Sequence, residues 1–311
     1  MKITVATVQM VSLNHNFERN LSSAQDYITD AAHKGANLIL LPEFALAGYL
    51  YTDAFWDMAE PLKGRTYNWQ KGLSEKFGVY IGICILERSE NDFYDTFLLT
   101  GPGKNDVWTH RKIEAPSYES YLFKGAGLNN SVFDTPIGRI GVAICFDSAK
   151  NHTVSNLKKG NADIVLLAYS YPGLPRYFSR KDRDAWLEIY QKAPEIYAAC
   201  LHVPIVVSNK TGGFDSPVPF GIAYQADFAG CSAIFNQRGD VLKYMPMHQA
   251  GVLVSEVTIG KENNFLQQNK LYDNGWLLPY SLKTKVIMEL NRKIGAIRYK
   301  YSNKRKIACG I

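Results

Sequence analysis

Closely spaced cysteines are missing from this chain. Its five cysteines, Cys84, Cys145, Cys200, Cys231 and Cys309, are scattered along 311 residues. An odd, dispersed set argues against a disulfide framework and against a CxxC metal site, and leaves reduced thiols as the expectation. The six histidines form no HxxxH or HExxH pair, so local spacing offers no zinc site and metal-dependent catalysis is disfavoured. Neither GxGxxG at a strand–helix junction nor GxxxxGK[ST] occurs, so no nucleotide cofactor is indicated and none of any other kind is expected. The longest apolar runs, such as NLILLP and ADIVLLAYS, are strand-sized and far short of the ~20 residues of a membrane span. MKITVATVQM passes from a lysine straight into alternation, without the apolar core and cleavage site of a signal peptide. The expected location is the cytoplasm, with no membrane partner.

Linkers rich in Ser, Pro or Gly are also lacking, as are internal repeats. One domain over residues 1–260 is therefore expected, followed by a C-terminal extension, 261–311, expected to pack on a partner subunit. Part of the net charge of +6 lies in RKIGAIRYKYSNKRK near the C-terminus. Without a basic–aromatic motif this run does not argue for nucleic acid.

What is present is a large apolar fraction, 46%, with 13% aromatics, enough for an extensive core. KITVATVQ reads as a first strand, and Leu21, Ala24, Ile28 and Ala31 recur at helical spacing before Gly35 stops the helix. NLILLP, VYIGICIL, DFYDTFLLT and DVWTHRK read as strands, with a helix near TYNWQKGLSEKFG. Helices from about Lys150 to Lys159 and from about Arg180 to Leu201 precede ADIVLLAYS and VPIVVSN, and a hairpin turn is expected at Gln237–Asp240. Mixed βα units and hairpins favour mixed sheets covered by helices.

Three of these apolar strands run straight into a reactive side chain. NLILLPEF delivers Glu43, DVWTHRK delivers Lys112, and GRIGVAIC delivers Cys145. A carboxylate, an ammonium and a thiol at separate strand ends are the parts of a covalent hydrolase. Each alone has a plainer reading: a buried apolar thiol, a surface carboxylate, a solvated basic run with His110 and Arg111.

With TVATVQM, LPEFALAGY, HRKIEAPSYES, GRIGVAICFD and FAGCSAIFNQRGD in this order, the chain resembles the nitrilase, or carbon–nitrogen hydrolase, superfamily. The resemblance covers nearly the whole length. It implies a four-layer αββα sandwich with two mixed β-sheets, assembled as a homodimer or higher homo-oligomer. It also implies Glu43 as general base, Lys112 as catalytic lysine, Cys145 as nucleophile and Glu119, seven residues after Lys112, as second glutamate. Glu114 lies in the same loop. The backbone N–H of Phe146 is implied in an oxyanion hole, and a helix after Cys145 would add its positive dipole. Phe146–Asp147 resembles the amidase branch more than the nitrilase branch, so a small amide or N-carbamoyl compound is the expected substrate. DSAKNHT supplies no arginine for a substrate carboxylate, and Lys150 is an imperfect substitute. Tyr49, Tyr118, Tyr169 and Tyr171 lie beside the motif loops and are candidate pocket walls, with rim packing as the alternative.

Overall fold

A computed structural model describes residues 1–219, 221–260 and 275–310 of the chain. The opening strand β1 (Lys2–Gln9) leads to helix α1 (Phe17–His33), whose first turn is capped by the Asn16 side chain accepting from the Arg19 N–H at 3.3 Å. Phe17, Ala24, Ile28 and Ala31 form its buried face, and Gly35 follows at φ 83°. Next come β2 (Leu38–Leu40), α2 (Arg65–Phe77), β3 (Tyr80–Ser89), β4 (Asp92–Thr100) and β5 (Val107–Arg111). The second half holds β6 (Val132–Thr135), β7 (Gly138–Ile144), α3 (Asn151–Lys159), β8 (Ile164–Ala168), α4 (Arg180–Leu201) and β9 (Ile205–Ser208). A hairpin, β10 (Gly213–Val218) and β11 (Ile222–Asp227), stands apart from the main sheets. Strands β12 (Ala233–Phe235), β13 (Val241–Tyr244) and β14 (Gly251–Thr258) return to them, and helices α5 (Leu282–Tyr301) and α6 (Asn303–Cys309) follow.

One six-stranded sheet has the order β14-β1-β2-β3-β4-β5 and the other β13-β12-β9-β8-β7-β6. Both mix parallel and antiparallel pairs. Alternation sorts their side chains. Ile3 and Val5 of β1 meet Val142, Ile144 and Leu166 of the other sheet, whereas Ala6 and Val8 turn to Ala24 and Ile28 of α1. Helices α1 and α2 cover one outer face, α3 and α4 the other, and the result is the αββα sandwich. The two sheets are also tied by hydroxyls: Thr7 Oγ1 donates to Val207 O at 2.8 Å and Ser208 Oγ to Val8 O at 2.5 Å.

This topology sends the reactive ends to one edge. β2 runs parallel to β3; β4 is antiparallel to β3 and β5 to β4, so β5 points the same way as β2. In the other sheet β7, β8 and β9 are parallel. Glu43, Lys112 and Cys145 therefore leave their sheets on one side, and the Glu43 N–H donates to Tyr169 O at 3.2 Å across the seam.

The C-terminal helices pack on their own chain. Gly295 of α5 lies so close to the 117–121 turn that a Cβ there would fall 2.0 Å from Ser120 Oγ. The Phe93 N–H donates to Tyr299 Oη at 2.8 Å, and Arg305 pairs with Asp92 at 2.9 Å. Part of the basic C-terminal run is thus engaged with this chain's own acids. Among the described residues no helix is long and apolar enough to cross a membrane.

Candidate active site

Three carboxylates surround one ammonium at the common sheet edge. Lys112 Nζ lies 2.6 Å from Glu43 Oε1, 2.7 Å from Glu119 Oε2 and 3.2 Å from Asp95 Oδ2. All four residues are buried. Glu119, rather than Glu114, is the loop acid that reaches the lysine. Glu114 turns outward toward Lys150, 3.6 Å away.

The backbone dictates this convergence. Lys112 is fixed by its N–H donating to Asp95 O at 2.8 Å. Glu119 sits in a short 3-10 turn, Ser117–Tyr121, and also accepts from the Tyr49 hydroxyl. Tyr49 is held by its N–H donating to Asn14 Oδ1 at 2.7 Å, with Gly48 before it at φ 78°. A Cβ at Gly48 would meet Asn14 Oδ1 at 2.6 Å, so the close approach requires glycine. Ser170 anchors Glu43 twice, N–H to Oε2 at 2.7 Å and Oγ to Glu43 O at 2.5 Å.

Cys145 directly follows β7 at φ 44°, a left-handed conformation that costs a non-glycine residue about 1 kcal/mol or more. The chain then enters a 3-10 turn, Cys145–Ala149, and α3 begins only at Asn151. The thiol therefore sits at a strained elbow and not at the N-terminus of an α-helix, which corrects the expectation of a helix dipole there. Asp147 clamps this elbow to the lysine loop. Its carboxylate accepts from Ile113 N–H at 3.1 Å and Glu114 N–H at 3.3 Å, and its carbonyl from Thr153 Oγ1 at 2.6 Å.

Charge and burial divide the protons. Burial pushes the Cys145 thiol well above its ordinary pKa and the neighbouring Glu43 charge adds to this, against the pull of Lys112, so the resting group is a neutral thiol. Burial would also raise Glu43, but Lys112 overrides it and holds this carboxylate below its usual range. Lys112 is itself disfavoured by burial, yet the charges of Glu119 and Glu43 hold it protonated. Burial raises Glu119 to about 7, opposed by Lys112 and helped by Glu43. Asp95 is raised well above its ordinary value by burial and by Glu43, so it stays a neutral acid. The same three carboxylates could in principle hold a cation, but the Lys112 ammonium already fills that role.

Sequence reading passed over Asp95, a lone acid in the apolar strand DFYDTFLLT, and gave Asp147 only a part in substrate choice. It also passed over Lys210, which is buried and donates to Gly48 O at 2.8 Å beneath the Tyr49 and Phe228 rings. Burial lowers Lys210 to about 7. A raised acid such as Asp95 costs stability as pH climbs above its unfolded pKa of ~3.9, because the folded chain keeps a proton that the unfolded chain releases. Asp95→Asn removes that cost. The variant is expected to gain on the unmutated protein as pH rises from 5 to 8, measured by urea unfolding. A constant difference across that range would show that Asp95 is ionised.

A cleft of about 530 Å3 opens above the cluster and reaches Cys145, Glu119, Phe146 and Tyr49. Tyr118 and Tyr171 line it, the latter with its hydroxyl 3.0 Å from that of Tyr280. Tyr169 does not. It is fully buried and meets the Tyr190 ring edge-on in the core, because an inward position on the strand end after β8 leads between sheet and α4. Lys150 is not available for a substrate carboxylate, since it is paired with Glu289 at 3.1 Å and lies 4.0 Å over the Trp276 ring.

Residues 4–263 match the carbon-nitrogen hydrolase family. An N-carbamoylputrescine amidase from Solanum lycopersicum is 26% identical over 268 residues, 83% of this chain and 87% of that protein. A citrullinase from Francisella tularensis is 28% identical over 221 residues, 67% of this chain and 74% of that one. Among solved structures, a carbon-nitrogen hydrolase from Helicobacter pylori G27 superposes with a TM-score of 0.74 at 18% identity, covering 83% of this chain and 89% of that one. The family match over most of the chain, on a sandwich with a thiol at its strand-end elbow, identifies this protein as a member of the carbon–nitrogen hydrolase family, an enzyme of the amidase-like kind that cleaves non-peptide C–N bonds with a thiol.

Proposed function

We propose that Cys145 is the nucleophile, Glu43 the general base, and Lys112 with the Phe146 N–H the oxyanion hole, acting on a small amide or N-carbamoyl compound. Glu43 takes the thiol proton as sulfur attacks the carbonyl carbon, and Lys112 holds the charge that develops on oxygen, a contribution of roughly 3 kcal/mol per donor. Collapse of the tetrahedral species breaks the C–N bond, with the proton passing from Glu43 to the nitrogen, and ammonia leaves. Glu43 then activates water, whose oxygen attacks the thioester; acid and thiol are regenerated. Glu119, with a pKa of about 7, braces Lys112 and adjusts the cluster's charge.

The observation that carries this reading is the meeting of Glu43 and Lys112 at 2.6 Å beside a cleft that ends on Cys145. A relative with the same fold adds support: a mutant of the amidase from Nesterenkonia sp. AN1, 16% identical with a TM-score of 0.65, carries the acetamide moiety of fluoroacetamide covalently at its active-site cysteine. The test is ammonia release from amides, N-carbamoyl compounds and nitriles, with intact-mass detection of the acyl adduct. Turnover with a thioester on Cys145 is the expected result. Release of ammonia from nitriles alone would replace amide by nitrile chemistry.

The same reading includes a homo-oligomer working in the cytoplasm, with the extension 261–311 contributing to the contact; residues 261–274 and 311 lie outside the described residues. Five free thiols favour a reducing compartment. The outer face of α5 exposes Leu282, Val286, Leu290, Ile297 and Tyr301, all on one side at helical spacing. A contiguous apolar stripe of this kind calls for cover, and a second copy of the chain is the occupant assigned here. Sedimentation velocity at micromolar concentration is expected to show a dimer or larger species that Leu290→Glu dissociates. A monomeric unmutated protein would end this part of the proposal.

A further inference from the structure

The described lining of the cleft above Cys145 is poor in charge. Among the described residues that line it, Glu119, Asp182 and Lys283 are ionisable acids or bases. Glu119 is taken up by Lys112 and Tyr49. Asp182 accepts from Ser179 Oγ at 2.6 Å in the cap of α4, and Lys283 sits exposed at the mouth. No arginine lines the described cleft. Arg183, nearby, donates to Arg176 O and Phe178 O, both at 2.9 Å, and so braces the wall from behind.

The tyrosines that make the walls have largely used their polar ends. Tyr171 is paired with Tyr280, Tyr224 donates to Gly173 O at 2.9 Å, and Tyr49 is bound to Glu119. What they offer a ligand is ring face. Tyr171 is already stacked against Trp186, with centroids 5.4 Å apart. At the entrance Tyr177 and Phe178 are 68% and 40% exposed, an aromatic pair with centroids 5.1 Å apart and its outer surface open to solvent. The opposite wall comes from α5, whose Ile287 and Met288 add aliphatic surface.

We infer that this cleft selects an uncharged amide whose acyl chain carries an aromatic ring, the ring lying between the tyrosine wall and α5 while the amide reaches Cys145. The inference deepens the amidase reading and rests on it. Burying a ring-sized apolar group is worth about 30-fold or more in binding, and rings gain further from offset stacking on aromatic walls. A terminal ammonium would lose its water in the same space without a free carboxylate among the described lining residues. Thus a cationic N-carbamoyl alkylamine and a cationic ω-amino amide are both poor fits.

Two measurements separate this inference from the hydrolase reading. The first is kcat/KM for acetamide, hexanamide, 3-phenylpropionamide, 6-aminohexanamide and N-carbamoylputrescine with the unmutated protein. The aryl amide is expected to exceed acetamide by at least about 30-fold and the cationic amide by a similar factor. The second is calorimetric binding of the same compounds to Cys145→Ala, which reports the cleft's preference whether or not turnover occurs. Tighter binding of the aryl amide than of either charged compound supports the inference even if no amide is hydrolysed, an outcome that would sink the hydrolase reading alone. Charged compounds bound or turned over as well as the aryl amide would overturn the inference and leave the hydrolase standing. Ile287→Asp is expected to narrow the ratio of aryl amide to acetamide by about tenfold; an unchanged ratio would remove α5 from the binding wall.

Discussion

Lys112→Met is expected to damage stability as well as activity. The substitution leaves Glu43, Glu119 and Asp95 facing one another in a space from which water is excluded. Removing one partner of a buried ion pair typically costs about 3–5 kcal/mol, because the remaining charge is uncompensated. That is a large part of the ~5–15 kcal/mol by which native proteins are stable. The sign of the pH dependence follows from the lowered Glu43 and the raised Lys112. Glu43 contributes stability above its unfolded pKa and loses it as pH falls; Lys112 contributes at every pH below its own unfolded pKa. Without the ammonium, Glu43 has no reason to remain ionised and is expected to take up a proton. The deficit of the variant should therefore be widest near pH 8 and narrow toward pH 5, where carboxyls neutralise. Urea unfolding at the two pH values checks this. A variant that unfolds like the unmutated protein at pH 8 would mean that water enters the cluster. Lys112→Arg is no rescue, since a planar fork with five donors does not fit where a single ammonium bridges three acids.

That cluster also shows how far sequence reading reaches. Glu43, Lys112 and Cys145 were legible because each follows an apolar strand directly, and strand direction then fixes the edge at which it emerges. Helix α1 and the turn at Gly35 were legible from periodicity and from a residue free to take positive φ. Asp95 was not, because one acid in an apolar strand gives no sign of which face it occupies until the neighbouring strand's register is known. In the structure Asp95 pairs with Leu86 across the ladder and sits beside Lys112 through a crossing hydrogen bond. Lys210 lies some 160 residues from Gly48, the carbonyl it binds, and no local pattern reports such a contact. Tyr169 misled for the opposite reason: proximity to a motif in sequence says nothing of side-chain direction, which alternates along a strand. The cleft's far wall escaped as well, since α5 is assigned to it by packing on the Ser117–Tyr121 turn and not by any motif.

Cys145→Ala is expected to abolish turnover, by on the order of 10^4-fold or more, with little loss of fold. The two effects separate because the thiol's packing contribution is small, whereas every bond change in the proposed reaction passes through its sulfur. Alanine at this position keeps a Cβ and so inherits the left-handed strain at φ 44°; the elbow neither gains nor loses on that account. The neutral resting thiol gives a second, independent signature. Because burial and Glu43 raise its pKa, a small alkylating agent should label the free enzyme slowly at pH 7. The rate should climb with pH without levelling off in the neutral range, as only the thiolate reacts. Acylation by an amide should show no such climb, since Glu43 removes the proton during attack and not before it. Labelling that is already maximal at pH 7 would mean that Lys112 outweighs burial and Glu43, and that the enzyme rests as a thiolate–ammonium pair. Ammonia release from Cys145→Ala above the uncatalysed rate would be more damaging: another group would then have to attack the carbonyl. Among the described residues that line the cleft, Cys145 is the one thiol, and the strained elbow beneath it would be left without a purpose.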